Sequence, residues 1–370
     1  MPRSTPSKAD QQLIEYARQR GVSVTGRQLE RWRGSGLLAP NIRGYPGRGR
    51  GSTSVPPPGA AELAAWLATN ERPGRRPADI ALLAFAAGLA VPEDTVRSAF
   101  TAAITGIKLP VEAGMPGAAP DDIAAATVDA GLRSTMLPDR IRRIDHALAQ
   151  RGINWSTPEI AGMDPGRSDD PPTAGDWAYT AVLAMLGGGA SLNMATIGQL
   201  ARTMAPGGVA PIAGQVEYRW PASPAEERDS APDDDEVLAL LGDGGLRDYA
   251  RDLIAATPAA ELLDAYQTTE AMAAWADGAC TAVELEIAGG KPGGAVREWV
   301  TASLGTARLI MAIALPREDA GPASTAATAV VLIMIRTMIR TVRDRPSGWD
   351  LDVLKNPMIA PACLTDFLSR

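Results

Sequence analysis

Arg27 and Arg31 stand four residues apart, with Gln28 beside the first, in the segment Thr25-Gly26-Arg27-Gln28-Leu29-Glu30-Arg31-Trp32-Arg33. On a helix, that spacing puts both arginines on one face. Arginine can take guanine O6 and N7 with two parallel hydrogen bonds, and glutamine can take adenine N6 and N7 in the same way. These three side chains are therefore candidate readers of base edges in a DNA duplex. Arg33 projects to another side and is a candidate phosphate contact. A second basic group follows, in which Arg43, Arg48 and Arg50 alternate with Gly44, Gly47, Gly49 and Gly51. Glycine allows close backbone approach, while arginine neutralises phosphate or enters a minor groove. Ser52, Thr53 and Ser54 add hydroxyls suited to phosphate oxygens.

Other chemistry is scarce. One histidine, His146, and two cysteines, Cys280 and Cys363, cannot assemble a Cys/His zinc set or a disulfide framework, and they fit a reducing cytoplasm. His146 lies in the helical, locally basic segment PDRIRRIDHALAQRG with no nucleophile or metal partner beside it. Glu284 and Glu286 are not at same-face helical spacing. The run Gly47-Arg48-Gly49-Arg50-Gly51 lacks the preceding strand, following helix and acidic residue about 20 further on that a dinucleotide site requires. An RGG-like RNA-binding tract is an alternative for those residues, although the flanking structure favours a wing. No catalytic site, metal or cofactor is expected.

The elements that must position these side chains are helical. Alanine is abundant and β-branched residues at period two are few, which predicts a mainly α protein. Charge divides the chain: residues 1–76 hold 13 Lys/Arg against 5 Asp/Glu, whereas the whole chain is net -7. A basic head on an acidic body points to nucleic acid at the head alone. Residues 1–9 read as a polar, disordered arm. Gln11–Arg20 reads as a helix, and Thr25 and Gln28 have the spacing of a capping box that opens a second helix to about Gly34. Leu29 and Trp32 face the core, Leu37-Leu38-Ala39-Pro40 closes the unit, and Ala60–Asn70 forms a third helix. Glu71–Pro77 reads as a linker.

Beyond it the pattern predicts helices at 78–88, 92–106, 121–130, 138–150, 175–186, 192–204, 244–255, 258–287, 294–314, 324–345 and 358–369, with possible sub-boundaries near 163–175 and 221–235. Within 258–287, the residues Leu262, Tyr266, Thr269, Ala273, Ala276, Cys280, Val283 and Ile287 alternate spacings of four and three. Its small residues suit a core helix inside the chain better than a dimer seam. Ala327 to Ile335 is apolar nearly all round, which indicates a buried helix or an oligomer interface, and Arg336, Arg340 and Arg343 then line one stripe. The apolar run Ala320–Ile335 is shorter than the about 20 residues of a membrane span, and no membrane partner is expected.

The stretch GVSVTGRQLERWRGSGLLAPNIRGYPGRGRGS followed by AAELAAWLA resembles the DNA-binding domain of the MerR superfamily over about residues 10–70. Gly-Val-Ser before the second helix, Leu29, Trp32, Gly36-Leu37-Leu38, Pro40 and the Arg/Gly/Tyr loop carry the likeness. The resemblance implies a winged helix-turn-helix at 10–76, with the Arg/Gly loop as wing. It departs from the family at Glu30-Arg31-Trp32, and no long dimerisation helix follows Asn70 directly.

The expected fold is thus mainly α: an N-terminal winged helix-turn-helix, then a large α-helical domain over 77–370. The expected function is sequence-specific binding of double-stranded DNA by a cytoplasmic MerR-like transcriptional regulator, as a homodimer or higher homo-oligomer. An architectural factor that assembles on DNA, such as a plasmid- or phage-associated one, is the alternative. An enzyme or small-molecule sensor in the body is the least favoured reading.

Overall fold

Two reciprocal caps set the first two helices. A computed structural model describes residues 6–44, 53–107, 139–153, 245–291, 293–302, 321–343 and 361–370, with isolated positions between 115 and 126 and between 310 and 315. Helix α1 spans Lys8–Gln19, and its cap is Ser7, whose hydroxyl accepts from the Asp10 amide while the Asp10 carboxylate accepts from the Ser7 amide. The helix therefore begins inside the expected polar arm. Helix α2 spans Gly26–Gly34 behind the same device at Thr25 and Gln28. Each box satisfies amide donors that a helix start leaves without partners.

Strands β1 (Ile42–Gly44) and β2 (Thr53–Val55) then pair antiparallel, with Ile42 opposite Val55, Arg43 opposite Ser54 and Gly44 opposite Thr53. Helix α3 (Ala60–Asn70) packs on α1. Leu13 and Ala17, Leu29 and Trp32, Leu37 and Leu38, and Leu63 and Leu67 are all buried together.

The remaining helices are α4 (Pro77–Ala86), α5 (Glu93–Thr105), α6 (Asp139–Ala149), α7 (Gly245–Ala256), α8 (Ala259–Ala288), α9 (Gly294–Ala302), α10 (Pro322–Arg343) and α11 (Ala362–Ser369). The described residues are mostly helical, with one two-stranded ribbon, in agreement with the mainly α expectation. The expected helices 175–186 and 192–204, all of 121–130 but Ala126, both sub-boundaries and most of 303–314 lie outside the described residues.

Helix α8 is the axis of the body. Its four-and-three pattern buries Leu262, Tyr266, Thr269, Ala276, Cys280 and Val283 against α10, α9, α11, α6 and α4, so the pattern serves the interior of a single chain. Burial pushes the Cys280 thiol up to about 12, which keeps it protonated. Helix α10 buries Ala326, Ala329, Val330, Leu332, Ile333 and Met334 between α8 and α5. Phe85, Phe100 and Tyr266 stack edge to face, at centroid distances of 6.1 and 6.2 Å, and join α4, α5 and α8. Among the described residues, no helix is long and apolar enough to cross a membrane.

Charged side chains in the body act as clamps. Arg140 on α6 reaches Glu284 and Asp277 on α8. Glu286 accepts from the amides of Gly293, Ala295 and Val296 at 2.8, 3.0 and 2.8 Å and so fills the N-terminus of α9. Those amide bonds hold its carboxyl below the usual range. Arg336 is buried against Glu261 and lies 4.2 Å over the Phe367 ring. Arg340 is exposed and donates to the Arg370 carbonyl at 2.7 Å; the Arg343 side chain lies outside the described residues.

Head and body meet without a gap. The Thr95 hydroxyl on α5 donates to the Gly36 carbonyl at 2.7 Å. Gly36 has φ 78°, and a Cβ there would lie 2.9 Å from that hydroxyl oxygen. Gly59, at φ 74°, passes so close to Ala90 that a Cβ would meet its Cβ at 2.6 Å. Only glycine meets both demands. The segment expected as a linker is exposed at 72–76, but α3 and α4 on either side of it share one core.

Candidate nucleic-acid interface

Helix α2 is seated from beneath and exposed above. Leu29 and Trp32 are fully buried, and helical spacing then leaves Arg27, Glu30, Arg31 and Gly34 on the outer side, all exposed. The structure thus brings Arg27 and Arg31 to one face, one turn apart. Gln28 is half-buried, and its side-chain oxygen accepts from the Thr25 amide and hydroxyl, both at 2.8 Å. That oxygen starts the helix, which leaves the amide nitrogen as the group Gln28 can offer a ligand.

Arg31 is not alone on the surface. Its Nη2 donates to Glu71 Oε2, at the C-terminal end of α3. The same carboxylate oxygen accepts from the indole Nε1 of Trp32 at 3.0 Å. Arg33 turns inward: its Nη2 donates to Asp10 Oδ1 at 2.6 Å and to Asn41 Oδ1 at 3.0 Å, and its side chain is only 18% exposed. Asn41 in turn donates to Asp10 at 3.2 Å. One arginine thus ties the start of α1, the end of α2 and the residue before β1. Burial works to raise the Asp10 carboxyl, but hydrogen bonds from Ser7, Arg33 and Asn41 outweigh it and hold the group below its ordinary value.

Arg43 stands exposed on β1. Thr53 on β2 is exposed too, with its hydroxyl donating to the Gly44 carbonyl at 3.3 Å, and Ser54 is half-buried. Arg48, Arg50 and Ser52 fall between the strands and outside the described residues. Among the described residues, neither Arg27 nor Arg43 has an ion-pair partner, and no three His, Cys, Asp or Glu side chains gather as metal ligands. His146 is exposed one turn from Gln150, away from any such group.

Asp10, Asn41 and Glu71 were absent from the sequence-based site. Asp10 had a readable signal, the Ser7-x-x-Asp10 spacing of a capping box. Glu71 had none, because it meets Arg31 and Trp32 across a separation of about 40 residues, which no local pattern reports. The chain matches no family model, no curated protein and no solved structure.

Proposed function

We propose that residues 10–76 are a MerR-like winged helix-turn-helix and that the protein is a sequence-specific DNA-binding regulator. One observation carries the reading: α2 is capped, seated by Leu29 and Trp32, and exposes Arg27 and Arg31 one turn apart, just ahead of a β ribbon that exposes Arg43. A helix so mounted can enter a major groove with its arginines on base edges while the ribbon lies along the backbone. Arg27 and Arg31 read bases, the Gln28 amide is available beside them, and Arg43, with Arg48 and Arg50 beyond it, holds phosphate or minor groove. Arg33 contributes by fixing the ribbon to α2 through Asp10 and Asn41. The acidic body keeps the duplex at the head. One short helix covers too few base pairs for tight specificity, so two copies act together.

Binding of the full-length protein to duplexes selected from a random pool, followed by fluorescence anisotropy across a salt series, tests this reading. Arg27→Ala with Arg31→Ala should weaken the selected duplex by about 2–4 kcal/mol and relax its base preference. If affinity and preference both survive the double change, α2 is not the reading helix.

A further inference from the structure

Glu71 stands beside the reading face as a negative charge, and a carboxylate near phosphate weakens binding to every duplex alike. Its place therefore calls for a reason that affinity does not supply. The Glu71 backbone is fixed by its amide, which donates to the Leu67 carbonyl at 2.8 Å as α3 ends. The buried indole of Trp32 holds the same oxygen that Arg31 uses. The carboxylate is thus anchored from two sides, and its side chain is 25% exposed against 57% for Arg31. Arg31 gives it Nη2 alone. A guanidinium has five N–H donors, so a two-donor edge is left for the O6 and N7 of guanine.

From this we propose, resting on the DNA-binding reading above, that Glu71 is a positioning residue that reserves Arg31 for guanine and withholds it from phosphate. With the carboxylate in place, Arg31 is aimed at a base edge. Its charge is already answered, so a stray phosphate gains little from it. In the guanine complex the Glu71 contact persists. In a complex without guanine, Arg31 must leave Glu71 to reach the backbone. Discrimination therefore comes from weakening the wrong complex, not from strengthening the right one.

The test uses the full-length chain with two duplexes of equal length: the sequence the wild type selects from a random pool, and poly(dA)·poly(dT). Glu71→Gln keeps an acceptor for Trp32 and removes the charge. It should tighten poly(dA)·poly(dT) binding about three- to tenfold and steepen that salt slope by about 0.9, the value of one more phosphate contact. Preference for the selected duplex should fall about fivefold, part of what a single bidentate contact provides. In an Arg31→Gln background, Glu71→Gln should change neither slope nor preference.

Thermal melts of each variant establish that it is folded, and Glu71→Ala repeats the measurement if the amide lowers the melting temperature. Wild-type slope and preference in Glu71→Gln, with preference lost in Arg31→Gln, overturn the inference alone. An effect of Glu71→Gln that persists without Arg31 also overturns it, since the carboxylate then acts as general surface charge. No duplex binding by the wild type at low salt sinks the DNA-binding reading itself.

Discussion

At Asp10 a single carboxylate receives the cap of one helix, the arginine of a second and the asparagine that leads into a strand. Its pKa is held down in the folded chain, so its contribution is complete above the ordinary carboxylate range and is lost as pH falls through the folded value. Asp10→Asn is expected to cost about 1–2 kcal/mol at neutral pH through the weakened cap and the half-buried Arg33 left short of a countercharge. Urea denaturation of both proteins at neutral and acid pH checks this, because the difference should shrink in acid. A constant difference would mean that shape, and not charge, is what Asp10 supplies. Much of the residue-level site was legible: the Arg27–Arg31 face follows from helical spacing, and the cap at Thr25 from two residue types three apart. Gln28 fits both a cap and a base, and its sequence cannot say which oxygen partner wins. The fate of Arg33 depended on Asp10, which lies 23 residues away and joins it only once the helices pack.

Helices α8 and α10 show why element positions were easier to read than partners. They run for 30 and 22 residues, long enough for a sequence pattern to dominate any local irregularity. Which helix each one packs against is a tertiary matter. The alternation of four and three on α8 is also the spacing of a dimer seam; its small residues favour a core helix, and α10, α9 and α6 packed around it are what name its partners. Arg336 is the clearest surprise at this scale. The sequence sets it in a stripe with Arg340 and Arg343, yet it is 3% exposed. Burial disfavours its charge, and Glu261 opposes that effect. Removing the partner is therefore worse than removing the pair's cation. Glu261→Gln should destabilise by about 2–4 kcal/mol, whereas Arg336→Met, which keeps an apolar stem on Phe367, should stay within about 1 kcal/mol of wild type. Chemical denaturation ranks the two, and the reverse order would show that the guanidinium makes a net favourable bond.

Over the whole molecule, basic head and acidic body are one packed unit in the described residues, although their charges suggested parts strung on a linker. Composition reports charge along the chain and is silent about contact, so the shared core could not be read from it. The join is narrow enough to test. Gly36→Ala forces a side chain into the left-handed region and against the Thr95 hydroxyl, and is expected to cost about 1–3 kcal/mol. Thr95→Ala relieves the crowding and loses the hydrogen bond, so adding it to Gly36→Ala should recover part of that cost. Calorimetric melts of the two single variants and the double variant measure the coupling, and strict additivity would show that the two residues do not press on each other. The fastening of Gly36 to α5 also has a geometrical consequence. A head on a tether can swing to meet its target, but a head bolted to its body carries the body's orientation with it. Two copies joined through their bodies would then act as a fixed-span caliper. A half-turn insertion of about five base pairs between paired sites should abolish joint binding, and a full turn should restore only what DNA bending can recover.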